Sequence, residues 1–484
     1  MTRATAVLIG VCLLAAAMIA GAVWGVRRTY NASDYLIANR RLNVWLTALS
    51  YTANATPAWL LFALVGAAFA WGISAIWMAL ALLAGSVLNW FYVAPRLRRL
   101  AVGQGSVSVV QIVGANVGER LQALLVRSGA VILGIALVLL MAAQLHSLAE
   151  VGARDLGLSA TATIIFCAIA YSLYVAVGGY WAASLADAFA LLALLAIALL
   201  LLIPATIAAG GLEQLQVGFQ SLGSSALDPF GGRTSIVALA FTAGVLGLGL
   251  SLPGQPQVLS RFIATKDEET LSAARWRALA FSALLFAVLL ACGWCAQVLY
   301  AGIANPDFAL VALATRMLPP GMGTLLAMAV LATVMVSIGG QLLVVAGLVA
   351  ADLKRPHTAV SLPVAHVTTV AAAIVAACVA AYAPSGLLER SMFAFTMLGA
   401  AFGPLVLVRV AGKRIRPGAA LGAMWAGAVL SWLFHLLPDS PGDFLERVLP
   451  FVAALGIALS GGERRSNPDR ADRGQETVHD RVPI

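Results

Sequence analysis

From Leu42 to Pro95 the chain carries no charged side chain and no histidine, while Leu, Ala, Val, Trp and Phe recur throughout. About 20 apolar residues are enough to cross the hydrocarbon core of a bilayer. The stretch therefore predicts two membrane-crossing helices joined by a tight turn near Trp71-Gly72. The remaining chain has the same character: 61% of its 484 residues are hydrophobic and 11% are charged, against about 25% charged in an ordinary soluble domain. This composition excludes a soluble enzyme, a disordered chain and a nucleic-acid binder. The net charge of +9 sits in short basic clusters between apolar runs, and in a membrane protein such clusters set topology.

The apolar runs predict an all-α polytopic membrane protein with about 13 transmembrane helices, each near the length a bilayer demands. They fall at 4–26, 43–69, 72–94, 128–150, 158–178, 182–209, 234–254, 277–302, 321–351, 362–383, 388–411, 417–437 and 446–462. Basic residues concentrate in alternate loops: Arg27, Arg28, Arg40 and Arg41; Arg96, Arg98, Arg99, Arg120 and Arg127; Arg261, Lys266, Arg275 and Arg277; Lys354 and Arg355; Arg409, Lys413, Arg414 and Arg416. The positive-inside rule places these loops in the cytoplasm, the N-terminus outside and the C-terminus in the cytoplasm. Residues 1–30 form an uncleaved first span, since the run is longer than a signal-peptide core and Arg27-Arg28 follow it. The polar segment 463–484 reads as a disordered cytoplasmic tail. The segment Val107 to Leu125 is amphipathic and predicts a helix on the inner interface. The five cysteines lie in apolar runs, where the residue packs as a small hydrophobe.

Two spans carry polar interruptions. One contains Thr52-Ala53-Asn54-Ala55-Thr56-Pro57, the other Gly247 through Pro256 with Ser251, Pro253, Gly254 and Gln255. Such breaks free backbone carbonyls, which a membrane tolerates where they line a cavity or find partners. Discontinuous helices at corresponding places in two halves point to a transporter site. Asp187 is the acidic residue set well inside a span, and an intramembrane acid marks a functional site by default, as a partner of a charge or as a proton carrier. His146, His366 and His435 read as neutral hydrogen-bonding residues, and Glu150 as interfacial.

The sequence resembles the sodium:solute symporter family, and within it the bacterial sodium/proline symporter branch. The likeness is carried by Ser33-Asp34-Tyr35-Leu36-Ile37-Ala38-Asn39-Arg40-Arg41-Leu42, by Gly178-Gly179-Tyr180-Trp181 through Asp187, by Gly254-Gln255-Pro256-Gln257 through Arg261-Phe262, and by Asn305-Pro306 with Gln341-Leu342-Leu343-Val344 and Asp352-Leu353. The resemblance implies a LeuT-type 5+5 inverted-repeat core over 31–412, with repeats at about 43–209 and 234–411, followed by two additional helices in 413–462. It implies alternating access with the solute held between the broken helices.

The resemblance also implies the site. A cation would take backbone carbonyls of Ala53, Thr56 and Thr333 and further oxygens at Val336 and Ser337. Val336 lacks the hydroxyl the family usually has there. Ala55 stands where the proline branch has Asp. Gly339 and Gly340 replace the paired serines of a second sodium site, which leaves Asp187 from that set. The coupling ion is therefore Na+ or, through Asp187, H+; no cofactor is expected. The substrate pocket would be formed by Asn54, Leu140, Gln144, Leu248, Ser251, Leu252 and Gln255, with leucines where the proline branch has aromatics.

The function this predicts is a secondary active cation:solute symporter of the bacterial inner membrane, importing a small carboxylate-bearing metabolite, proline or another amino acid foremost. The alternatives are a monocarboxylate or other organic-solute symporter with a degenerate sodium site, and a transporter-like solute sensor acting through a separate partner. The partners expected are the small-molecule solute, the coupling cation and the lipid bilayer, with no nucleic acid and with any protein partner unknown. A channel would want rings of like charge along a pore, and an enzyme a convergent catalytic constellation; neither pattern occurs.

Overall fold

The computed structural model describes residues 3–114, 119–153, 157–221, 223–300, 302–353, 360–382, 387–438 and 440–464. The chain is almost wholly helical. Nine described helical segments are long and apolar enough to cross a membrane. Two of them, Trp59–Gln104 and Ala160–Ala208, run to 46 and 49 residues, more than twice what one crossing needs. Each is divided by a glycine with positive φ. Gly72 adopts φ 62° at the expected turn after Trp71, and Gly179 adopts φ 56° and ψ −147°. An L side chain is strained in that region.

Gly179 also lies against Tyr35, where an added Cβ would come within 2.8 Å of the ring. We expect Gly179→Ala to lower stability by about 1–3 kcal/mol, read as a drop in thermal unfolding temperature in detergent. Gly103→Ala, whose Cβ would meet nothing within 4 Å, is the control.

The two interrupted spans are broken helices. The first runs Val44–Ala55, opens at Thr56 (φ −120°, ψ 67°) and resumes at Ala58–Trp71. Pro57 has no N–H, so the carbonyl of Ala53 loses its helical partner four residues on. The second runs Ser235–Leu250, tightens into a 3-10 turn at Leu252–Gly254 and restarts as Pro256–Ala264. That last half-helix lies beyond the boundary expected at 254. Proline at its first position is favoured there, where the N–H would be unused anyway.

Three further expectations are adjusted. The Val107 to Leu125 segment is not an interfacial helix. Val109–Gly114 is a short helix whose Val109, Val110, Ile112 and Val113 are buried, and Glu119 already begins the long helix Glu119–Val151. The helix expected at 277 starts at Glu268, where the Asp267 side chain accepts from the Thr270 N–H. Of the tail, Gly462–Arg464 pairs antiparallel with Lys413–Ile415; residues 465–484 lie outside the described residues.

Large apolar side chains cover the outside as well as the core. Leu13, Ile19, Ile203, Ile236, Leu239 and Val367 are each more than half exposed. In water such a surface would aggregate; against lipid it is the solvated face. The interior is the unusual part, because Ser50, Asn54, Asp187, Gln255, Arg261 and Gln341 are all buried. Those polar groups gather beside the two helix breaks.

Candidate functional site

Asp187 lies on Ala160–Ala208, two turns past the bend at Gly179, and is fully buried. Its Oδ2 is the hub of the site. Ser50 Oγ donates to it in a short hydrogen bond. Asn54 Nδ2 donates to it at 2.9 Å and also to the Ser50 carbonyl at 2.9 Å. Ser50 and Asn54 are one turn apart on Val44–Ala55, so the first broken helix presents both to the same oxygen.

The fourth group is Arg261, whose Nη2 lies 3.1 Å from Asp187 Oδ2; neither side chain has any exposure. Arg261 Nη1 donates to Ser184 Oγ at 3.2 Å, and the guanidinium sits 4.4 Å from the centre of the Tyr180 ring. The sequence reading placed Arg261 among the cytoplasmic loop charges. The correction follows from the second half-helix: Pro256–Ala264 is buried almost throughout, and it carries Arg261 inward. A buried ion pair is stable only with good geometry and hydrogen bonds to its remaining atoms. Here Ser50 and Asn54 donate to Oδ2 and Ser184 accepts from Nη1, while Asp187 Oδ1 and Arg261 Nε are buried without a hydrogen-bond partner among the described residues.

Gly339 and Gly340 make this packing possible. A Cβ on Gly340 would overlap Asn54 Oδ1 and lie 3.0 Å from Arg261 Nη2, and one on Gly339 would overlap the Tyr174 hydroxyl. Of the two positions where the family resemblance suggested lost serine ligands, Gly340 therefore abuts a guanidinium that already faces Asp187, and Gly339 abuts the Tyr174 hydroxyl. Thr333, Ser337 and Gly340 recur at helical spacing on Pro320–Gly347, which puts them on one face. Gly340 meets Asn54, so this face turns toward the first break. Thr333 and Ser337 are both buried. The side chain of Val336 lies outside the described residues. Thr56 is buried with no hydrogen-bond partner for its hydroxyl among the described residues, and the Ala53 carbonyl is freed by Pro57.

The expected pocket residues divide into two groups. Leu140, Gln144, Ser251, Leu252 and Gln255 are all buried near the breaks. Gln144 Nε2 donates to Gln341 Oε1 at 3.0 Å and to the Leu140 carbonyl at 3.1 Å. Gln255 Nε2 donates to the carbonyls of Phe395 and Ser251 at 2.8 and 3.2 Å, and its Oε1 accepts from Gln257 Nε2 at 3.2 Å. Both ends of the Gln255 amide are thus committed to the protein, and Gln255 braces the second break instead of offering a hydrogen bond to solute. Leu248 faces elsewhere: it lines a cavity with Ala63, Ala67, Met78 and Arg447.

Sequence reasoning missed Gln257, Gln341 and Trp59. Gln257 Oε1, Gln341 Nε2, Gln144 Oε1, Asn54 Oδ1 and Trp59 Nε1 are buried without a hydrogen-bond partner among the described residues. Such groups are costly unless something satisfies them. Polar side chains in the middle of apolar runs were the available signal, and the pairing of Gln341 with Gln144, distant in sequence, was not. His146 and Glu150 pair at 3.4 Å one turn apart, and His435 pairs with Glu446 at 3.0 Å; both pairs stand apart from the Asp187 hub. Buried amides beside opened helix backbone are groups that can hold small polar solutes and hard cations through oxygens.

The model of the sodium:solute symporter family matches residues 35–427. The chain is 28% identical over 467 residues to the osmoregulated proline transporter OpuE of Bacillus subtilis, covering 90% of this chain and 91% of that one. It is 28% identical over 464 residues to the sodium/proline symporter of Escherichia coli, with 90% and 91% covered. Among solved structures it is similar to a Na+-coupled sialic acid symporter in a substrate-bound, outward-open state, with a TM-score of 0.78 at 16% identity, covering 95% of this chain and 99% of that one. Mhp1, a nucleobase-cation-symport-1 family transporter, follows with a TM-score of 0.58 at 14% identity, covering 89% and 95%. These likenesses show the fold, which is of the LeuT type. The family consists of transporters and not enzymes, and the match spans both broken helices and the Asp187–Arg261 pair: the chain belongs to the sodium:solute symporter family.

Proposed function

We propose that this symporter imports a small carboxylate-bearing solute, proline foremost, and that sodium drives it. The observation that carries the ion assignment is the Arg261 guanidinium 3.1 Å from Asp187 in a site without solvent exposure. A proton delivered to Asp187 would leave that guanidinium buried without its counter-charge, at a cost of several kcal/mol. A sodium ion needs only oxygens, and the opened Ala53 and Thr56 backbone with Thr333, Ser337 and the Val336 position supports one such site. The names of the proline-transporting relatives support proline, and so do the amide oxygens of Asn54 and Gln257 beside the breaks, which lack partners among the described residues and suit the ammonium of a zwitterion.

In this reading residues 1–30 form a first helix with its N-terminus outside. The core 31–412 holds the two inverted repeats at about 43–209 and 234–411. Two further helices occupy 413–462, so about 13 helices cross the bacterial inner membrane and the C-terminus is cytoplasmic. The test is exchange of labelled L-proline in proteoliposomes preloaded with unlabelled solute. Proline, or another amino acid in the panel, accelerates exchange if the reading holds. Exchange with monocarboxylates alone contradicts the amino-acid assignment, and exchange with none contradicts transport itself and favours a sensor.

A further inference from the structure

The first helix leaves a groove on the lipid-facing side of the protein. Arg3–Val26 and the first half of Ala160–Ala208 meet at two glycines, where a Cβ on Gly25 would overlap the Gly178 carbonyl. Beyond that contact, from Ala15 to Ala22, the two helices bound a groove of about 290 Å³. Met18 and Ile19 line one side, and Phe166, Ala170 and Leu173 the other. Ile19, Phe166 and Leu173 are each more than half exposed, so the groove opens toward lipid. Tyr174 also lines it. Tyr174 is buried, and its hydroxyl stands against Gly339 without a hydrogen-bond partner among the described residues. It therefore touches the groove on one side and, on the other, the helix that brings Gly340 to the Asp187 hub.

The end of the first helix carries charge of one sign. Arg27 and Arg28 follow it directly and are exposed. The Arg28 guanidinium lies 4.3 Å from the centre of the Trp24 ring and 5.3 Å from that of Trp181, and the two rings meet edge to face at 5.4 Å. Cation–π contacts of this kind hold a guanidinium in place, and tryptophans gather at headgroup depth. Neither arginine has a carboxylate partner among the described residues, since the neighbouring Asp34 is taken by Arg41. Arg28 lies six residues past Ala22, about 9 Å at helical rise, and the groove continues for about 10 Å more.

We propose that this is a binding site for one anionic phospholipid of the cytoplasmic leaflet. Its phosphate lies against Arg27 and Arg28, and one acyl chain fills the groove over Tyr174. Lipid tails are as apolar as the groove walls and fill it without cost; the arginines select the headgroup. At roughly 30 Å³ per heavy-atom group, the groove takes about ten chain carbons. The chain backs the Tyr174 ring, the Tyr174 hydroxyl packs on Gly339, and the lipid thereby braces the helix beside the hub. The site rests on the orientation given above for its leaflet, and on the transport reading for nothing else.

The experiment is native mass spectrometry of the purified full chain with phosphatidylglycerol and phosphatidylcholine added in equal amounts. The wild type is expected to retain one phosphatidylglycerol, preferred about 25-fold over phosphatidylcholine, or roughly fivefold for each arginine. Arg27→Gln combined with Arg28→Gln should abolish the preference. Ala170→Trp, which fills the groove without touching a charge, should abolish retention of either lipid. Arg99→Gln should change nothing, because that arginine is already paired with Glu268 at 3.1 Å. Thermal unfolding checks that each variant is folded. Equal retention of the two lipids by the wild type overturns the site. So does phosphatidylglycerol retained unchanged by a folded double variant or a folded Ala170→Trp chain. Proline exchange in proteoliposomes should be several-fold faster with phosphatidylglycerol than with phosphatidylcholine alone, and equal exchange in both would overturn the bracing of the hub. Exchange in neither lipid would count against the transport reading, while the lipid retained still decides the site.

Discussion

Arg261→Gln is expected to reduce solute uptake at least about 100-fold, a loss of ~2.7 kcal/mol. The variant leaves the Asp187 carboxylate fully buried with Ser50 and Asn54 as its remaining partners. Breaking a buried pair from one side typically costs about 3–5 kcal/mol, enough to compromise a marginally stable chain. Asp187→Asn is the mirror case and strands the guanidinium. The informative variant is the double one. Asp187→Asn with Arg261→Gln removes both charges, and its thermal stability should recover most of what either single change loses. The coupling energy in that cycle should exceed about 1 kcal/mol, as expected for residues in direct contact. Additive losses would mean that the two groups act separately.

The second large effect is expected at Gly340. Gly340→Val places branched carbon where Asn54 Oδ1 stands and within 3.0 Å of Arg261 Nη2 even at Cβ. Neither neighbour can retreat, because Asn54 is tied to Ser50 and Asp187 and Arg261 to Ser184 and Asp187. Overpacking of this kind costs about 1–3 kcal/mol, and here it falls on the hub itself. Uptake should drop about 10- to 100-fold while the protein still reaches the membrane. Gly340→Ala should show a smaller loss of the same kind. Uptake by Gly340→Val at wild-type rate would show that the hub does not need its present geometry.

The fold was largely legible because it rests on local signals. The charge-free stretch from Leu42 to Pro95 is long enough for two crossings, and Gly72 turns between them. Pro57 and the Pro253-Gly254 pair interrupt apolar runs, and the structure breaks both helices there. Asp187 stood out as an acid inside an apolar segment. Its partner did not, for a physical reason. Arg261 ends an apolar run beside Lys266 and Asp267, which is how a loop charge looks in one dimension. Only the second half-helix, packed by long-range contacts, carries it into the core. The glycines at 339 and 340 read as missing ligands for the same reason, since the Arg261 guanidinium beside Gly340 and the Tyr174 hydroxyl beside Gly339 come from helices far away in sequence. Gln255 looked like a free hydrogen-bonding group because its acceptor, the Phe395 carbonyl, lies on another helix.

The amphipathic stretch after Val107 was misread differently. Polar and apolar residues recurring at helical spacing suit an interfacial helix, but they equally suit a short helix with a buried face. Ser108 donates to Asp352 Oδ1 at 2.8 Å and Arg409 Nε to the Ile112 carbonyl at 3.2 Å. These contacts pull the segment into the protein, and none of them is visible in the local pattern.

The most direct test of sodium coupling is initial uptake of labelled proline into proteoliposomes at fixed pH under an inward sodium gradient, compared with an inward proton gradient without sodium. The ion pair at Asp187 and the opened backbone at Ala53 predict accumulation with sodium and none with protons alone. Proton-driven accumulation without sodium would contradict the account, because Asp187 would then have to release Arg261 and take up a proton in each cycle.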